Sequence, residues 1–103
     1  MCEQASDGFY DRLMEKYLQS SAEDLDSIQN AITEKDGETV RTSAHRLKSS
    51  SGNWGGVRVS DLCQRIESAG RDNDIGLAST LVEELIAEVH SLIGELHGHQ
   101  RAA

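Results

Sequence analysis

Apolar residues recur at intervals of three and four along most of the chain, which is the spacing of amphipathic α-helices. The first of these stripes predicts a helix over about residues 7–19. Its members are Phe9, Leu13, Met14, Tyr17 and Leu18. Ser20, followed three residues later by Glu23, has the form of a capping box. It predicts that a second helix begins there and ends near Lys35.

Three further helices follow from the pattern of caps and stripes. Asp36 is placed to cap the third helix, which the serine- and glycine-rich run from Ser49 to Gly56 should end. The fourth helix has an apolar stripe of Val59, Leu62, Cys63, Ile66 and Ala69. Gly70 is expected as its C-cap, and Asp74 as the N-cap of the last helix.

The predicted fold is all-α. Short connections favour antiparallel neighbours, so we expect an up-down-up-down antiparallel four-helix bundle with an additional short N-terminal helix lying across one end. A chain of 103 residues is long enough for one modest core, so residues 1–103 are expected to form a single domain. Its ordered core should span about residues 7–97, with a loose tail from Gly98 to Ala103.

Composition narrows the possible classes of function. The formal net charge is −8, whereas a nucleic-acid-binding protein needs a basic surface, so we expect no nucleic-acid partner. No apolar run approaches the ~20 residues of a membrane span, and residues 1–4 do not form a signal peptide. Cys2 and Cys63 are not expected to pair. The chain is therefore predicted to be cytoplasmic and without membrane association.

The run from Ala44 to Ser49 carries the candidate chemistry. Its sequence, Ala-His-Arg-Leu-Lys-Ser, places His45 three residues before Lys48, so both side chains lie on one helix face. Ser49 and Gly52 are small and leave the backbone beside that face uncovered. A neutral imidazole is a nucleophile near neutral pH and can hold a covalent group and release it again. A cation with little steric cover suits a negatively charged group, above all a phosphoryl group.

The residues that follow extend this pattern. Gly55 comes seven residues after Lys48, and the segment 62–67 reads Leu-Cys-x-x-Ile-Glu. The arrangement resembles the histidine phosphotransfer (HPt) domain family, closely over about residues 36–68 and more loosely beyond. The family pattern is Ala-His-x-Leu-Lys-Gly, a glycine seven residues after the lysine, and then Leu-x-x-x-Cys-x-x-Leu-Glu. Ser49 stands where the family commonly has glycine.

The resemblance implies a phosphorelay intermediate. His45 would accept a phosphoryl group from the phosphoaspartate of a receiver domain and pass it to an aspartate of another receiver, with Lys48 stabilising the phosphate. The implied partners are receiver domains of response regulators, a hybrid sensor histidine kinase, or both. The resemblance also implies that the chain is a monomer. The chain has no P-loop and no kinase signature, so we expect no autokinase activity. No cofactor is expected on this chain, and Mg²⁺ is expected on the partner receiver during transfer.

The surface around His45 is the predicted receiver-docking site. Its candidate residues are Arg41, Arg46, Ser49, Gly52 and Gly55. A large side chain at Ser49 or Gly55 would hold a receiver away from the imidazole. Sequence alone does not show which imidazole nitrogen is free, although Nε2 is the usual acceptor in the family.

Other interpretations compete with this one. A helical adaptor or dimerisation module, in which His45 has no chemistry, is the main alternative, and a small DNA-binding domain is disfavoured by the acidic charge. Cys63 is expected to be a buried structural cysteine, and Trp54 is expected to cover one end of the bundle. His90, His97 and His99 lack the i, i+4 spacing of a helical metal pair and are expected to face solvent.

Overall fold

The computed structural model describes the backbone of residues 2–102 and the side chains of residues 11–96. Within that range all regular structure is helical, which confirms the predicted all-α class. The four helices are α1 (Cys2–Thr33), α2 (Gly37–Gly52), α3 (Val57–Arg71) and α4 (Ile75–Ala102).

The helix boundary predicted at Ser20 is wrong, because α1 continues through it without a break. The side chain of Ser21 donates a hydrogen bond to the carbonyl of Leu18 at 3.1 Å, so this serine bonds to its own helix. The buried stripe also continues across the predicted boundary, from Tyr17 through Ser21 to Ile28. One uninterrupted buried stripe favours one helix, so the additional N-terminal helix does not exist as a separate element.

Two predicted helix caps are confirmed. The backbone N–H of Thr39 donates to Asp36 Oδ1 at 3.2 Å at the start of α2. The backbone N–H of Leu77 donates to Asp74 Oδ1 at 3.2 Å at the start of α4. Each aspartate satisfies one N–H group that the first helical turn leaves without a partner.

The C-cap predicted at Gly70 is wrong, because Gly70 lies inside α3 and the left-handed backbone conformation falls at Asn73, with φ of 56°. Gly70 instead permits a close helix contact. A Cβ atom at this position would lie 2.7 Å from the carbonyl oxygen of Gly37 and 2.8 Å from the backbone nitrogen of Arg41. Glycine is needed here for the approach of α2 to α3.

The loose tail predicted from Gly98 is also not observed, since the backbone of α4 stays helical to Ala102. The segment contains no proline, and a glycine in a helix interior costs only about 1 kcal/mol relative to alanine. The side chains of this segment lie outside the described residues.

Each helix packs against the next one in sequence, and α4 packs back against α1. The neighbours are antiparallel: the start of α2 contacts the end of α3 at Gly37 and Gly70. Between α1 and α2, the hydroxyl groups of Tyr17 and Ser51 form a buried hydrogen bond of 2.7 Å. The largest fully buried side chains come one from each helix: Ile28, Leu47, Ile66 and Leu85. Among the described residues, no helix is both long and apolar enough to cross a membrane.

Candidate functional site

His45 lies on the side of α2 that faces away from the core. Its neighbours Ala44 and Leu47 are fully buried, whereas 57% of the His45 side chain is exposed. Successive residues of an α-helix point about 100° apart around its axis, so Ala44 and the next residue, His45, do not both face the core. The imidazole is thus fixed to a rigid helix and accessible from solvent.

A carboxylate on α3 contacts one of the two ring nitrogens. His45 Nδ1 lies 3.3 Å from Glu67 Oε2, and only 16% of the Glu67 side chain is exposed. An ionised carboxylate can only accept hydrogen bonds, so Nδ1 carries the hydrogen in this contact. The neutral ring then has its lone pair on Nε2, which is the nucleophilic nitrogen.

Lys48 contacts the same carboxylate from one turn further along α2. Its Nζ donates to Glu67 Oε1 at 3.0 Å and to Gln64 Oε1 at 2.9 Å. Glu67 therefore bridges the imidazole and the ammonium through its two oxygens. We call His45, Lys48, Gln64 and Glu67 the α2–α3 cluster.

The electrostatics of the cluster keep Glu67 ionised. Its partial burial raises the pKa of Glu67, but the hydrogen bonds and charges of Lys48 and then of His45 outweigh that effect. The pKa of Glu67 consequently lies below its ordinary value. At neutral pH the negative charge of the Glu67 carboxylate and the positive charge of the Lys48 ammonium cancel. A dianionic group attached to His45 would add negative charge that this pair does not neutralise.

Three of the predicted docking residues are both small and exposed. Ser49 and Gly52 lie on α2, and Gly55 lies in the turn that follows. A Cβ atom at Gly52 or Gly55 would meet nothing within 4 Å, so the space there is open. Gly55 also has φ of +73°, a left-handed conformation that side-chain-bearing residues rarely adopt.

The two predicted docking arginines point in different directions. Arg41 pairs with Glu38 on the same helix and shares the face of His45. Arg46 turns toward α1, where its Nε donates to Asp24 Oδ1 at 3.2 Å. Asp24 is buried, and that burial raises its pKa against the opposing effect of Arg46. Arg46 therefore connects α1 to α2 and lies outside the α2–α3 cluster.

The family model described as Hpt domain matches residues 12–96, which is most of the chain. The chain belongs to the Hpt domain family. The fold of this HPt domain is similar to the crystal structure of histidine-containing phosphotransfer protein B (HptB) from Pseudomonas aeruginosa PAO1. The TM-score is 0.87 and the sequence identity 22%, over 99% of this chain and 89% of that one. No curated protein matches the chain.

The remaining candidates in this HPt domain have structural surroundings. Cys63 is a free thiol, fully buried, and desolvation by burial raises its pKa to about 12. Trp54 is half-buried and its ring lies 6.0 Å from that of Tyr17 at the bundle end. His90 is exposed, and the side chains of His97 and His99 lie outside the described residues. Among the described residues, no group of three His, Cys, Asp or Glu side chains is placed to hold a metal ion.

Sequence reasoning did not assign Glu67 or Gln64 to the site of this HPt domain. Glu67 was recognised only as the end of the family pattern, and Gln64 had no role. A signal was present, because Gln64 and Glu67 are polar positions three residues apart flanking the buried Ile66. The sequence does not show which residues these two side chains contact, because that depends on how α2 packs against α3.

Proposed function

We propose that this HPt domain is a phosphorelay intermediate. His45 accepts a phosphoryl group from a receiver-domain phosphoaspartate and passes it to the aspartate of another receiver. One observation carries the proposal: an exposed histidine has Nδ1 against the Glu67 carboxylate, no partner for Nε2 among the described residues, and Lys48 one turn away. An imidazole so arranged is a nucleophile with a fixed tautomer.

No proton has to leave Nε2 for the phosphoryl group to be transferred. The Nε2 lone pair attacks phosphorus, the Nε2–P bond forms, and the P–O bond to the receiver aspartate breaks. The carboxylate of that aspartate leaves with the electron pair. The ring keeps its hydrogen on Nδ1 and becomes positively charged, and the Glu67 carboxylate stabilises that charge. The reverse sequence delivers the group to a second receiver.

Lys48 supplies positive charge for the incoming group. A phosphoryl group brings a charge of about −2 at neutral pH. An ammonium has three N–H donors, and Glu67 and Gln64 accept two of them. The third can donate to a phosphoryl oxygen on His45. A Mg²⁺ ion held by the receiver would neutralise further charge during transfer.

The open surface next to His45 suits a receiver domain. Transfer requires the reacting atoms to come within roughly 3–3.5 Å of each other, so the two backbones must dock closely. Ser49, Gly52 and Gly55 place no large side chain in that approach. We further propose that the chain acts as a monomeric single domain in the cytoplasm, and the free Cys63 thiol agrees with a reducing compartment.

The decisive experiment is phosphoryl labelling. Each receiver domain of the source organism is phosphorylated with acetyl phosphate and mixed with the chain, and the label on the chain is measured. We expect acid-labile, base-stable label from at least one receiver and none on the His45→Gln variant. His90→Gln, at another exposed histidine, is the matched control and should label like wild type.

Two outcomes would contradict the proposal. Label remaining on His45→Gln at the wild-type level would place the acceptor elsewhere. Absence of label with every receiver would favour the helical adaptor or dimerisation module.

A further inference from the structure

Side chains of α2 and α3 contact each other in two pairs at the site. His45 and Lys48 lie three residues apart on α2, and Glu67 and Gln64 lie three residues apart on the antiparallel α3. His45 pairs with Glu67 at 3.3 Å, and Lys48 pairs with Gln64 at 2.9 Å. Glu67 also reaches Lys48, whereas Gln64 has only the contact with Lys48 among the described residues.

Without contacts to other residues, a lysine side chain does not hold its ammonium in one position. Its flexible four-carbon stem can adopt many rotamers. In this structure two acceptors on α3 hold it, and 27% of the side chain remains exposed. The two acceptors differ in charge: Glu67 neutralises the ammonium, while Gln64 binds it and leaves its charge unchanged.

This difference becomes important when a phosphoryl group arrives. The new dianion competes with the Glu67 carboxylate for Lys48, and Glu67 is already committed to the charged imidazole ring. The Gln64 carbonyl carries no net charge, so it loses nothing when Lys48 turns toward phosphate. It can stay bound while another N–H of the ammonium donates to a phosphoryl oxygen.

We infer that Gln64 is a positioning residue of the site, whose side-chain carbonyl holds the Lys48 ammonium at the α2–α3 face for the phosphoryl group on His45. The inference rests on the proposed function. Gln64 does not touch the reacting atoms and acts through Lys48. A glutamate at this position would be the wrong acceptor, because a second carboxylate would cancel the charge that the phosphoryl group needs.

The test uses phosphoramidate, a small phosphoryl donor that needs no docking surface. Initial rates of His45 labelling are measured for wild type, Gln64→Met, Gln64→Glu and Lys48→Ala, and for Gln64→Met combined with Lys48→Ala. Methionine keeps the length and helix propensity of glutamine but removes the carbonyl. Gln19→Met, at an exposed glutamine on α1, is the matched control.

We expect Gln64→Met to label about two- to five-fold more slowly, the range given by an exposed charged hydrogen bond. Gln64→Glu should be slow at low salt and recover partly as salt screens the added charge. In the Lys48→Ala background, Gln64→Met should have no further effect. Gln19→Met should label like wild type.

Three results would overturn the inference. They are a wild-type rate for Gln64→Met, a wild-type or faster rate for Gln64→Glu, and an equal slowing by Gln64→Met with and without Lys48. Failure of the proposed function has a different signature: phosphoramidate labels His45, but no phosphorylated receiver does. The Gln64 rates remain interpretable in that case, since the donor is the small molecule.

Discussion

At the scale of single residues, the chemistry proposed for His45 depends on what its Nδ1 atom contacts. A lone exposed histidine exchanges its hydrogen between the two ring nitrogens, and only one tautomer has a lone pair on Nε2. The contact of Nδ1 with Glu67 Oε2 selects that tautomer. In the proposed transfer, the carboxylate is also the counter-charge of the ring once a phosphoryl group is attached. Glu67 contacts both His45 and Lys48, while Gln64 contacts Lys48.

Replacement of Glu67 by glutamine tests the importance of this charge. The substitution keeps the size and an oxygen acceptor but removes the negative charge beside the ring. We expect His45 labelling by phosphoramidate to slow by roughly three- to ten-fold, because hydrogen bonds to charged groups contribute about 1.5–3 kcal/mol when well shielded and less when exposed. Glu84→Gln on the outer face of α4 is the control. A Glu67→Gln rate at or above wild type would mean that the carboxylate mainly repels the donor.

At the scale of elements, the site depends on how closely α2 and α3 approach. The side chains of His45 and Lys48 reach α3 directly, without an intervening layer. Gly37 and Gly70 make this spacing possible at the far end of the pair, where a Cβ on either would collide with the backbone of the other helix. The glycines and the α2–α3 cluster belong to one continuous helix contact.

Gly70→Ala tests the close contact. The added Cβ would lie 2.7 Å from the Gly37 carbonyl oxygen, and a backbone neighbour cannot rotate out of the way. We expect a loss of roughly 1–3 kcal/mol in the free energy of unfolding, measured by urea denaturation. Gly94→Ala is the control, since nothing lies within 4 Å of a Cβ there. It should raise stability by up to about 1 kcal/mol. Equal stability of Gly70→Ala and wild type would show that the helices separate without cost.

At the scale of the whole molecule, the proposed function requires an acidic chain to bind a receiver domain at a phosphorylated histidine. The net charge is −8, yet the face around His45 carries Arg41 and Lys48 together with small, uncharged residues. Ser49, Gly52 and Gly55 place no large side chain on the surface beside the imidazole. Receiver docking and phosphoryl transfer can be measured separately, because a small phosphoryl donor reaches His45 without docking on the surrounding surface.

The Ser49→Gln variant distinguishes receiver docking from phosphoryl transfer. A long side chain at an exposed position next to the site should leave the bundle folded, since glutamine is at least as good a helix former as serine. We expect transfer from a phosphorylated receiver to fall by about ten- to a hundred-fold through misplaced docking, with labelling by phosphoramidate unchanged. Ser79→Gln on α4 is the control and should leave both rates unchanged. Normal receiver affinity and normal transfer for Ser49→Gln would place the docking surface elsewhere.

Much of the fold could be predicted because its determinants are local. Helical periodicity and aspartate caps act within about four residues, and the caps at Asp36 and Asp74 and the burial of Cys63 all follow from such short-range patterns. The exposure of His45 follows in the same way from its angular offset from Ala44. The boundary at Ser20 failed although it was local, because the buried stripe on both sides of it outweighed one capping signal.

Only the tertiary structure determined the partners across helices. His45 and Glu67 are far apart in sequence, as are Lys48 and Gln64, and each pair depends on the register between two packed helices. That register comes from the whole core and from the contact at Gly70, and no short pattern encodes it. The sequence by itself predicted an exposed histidine and the helix face on which it lies. The packing of α2 against α3 determined that Nδ1 contacts Glu67 and that Lys48 contacts Gln64 and Glu67.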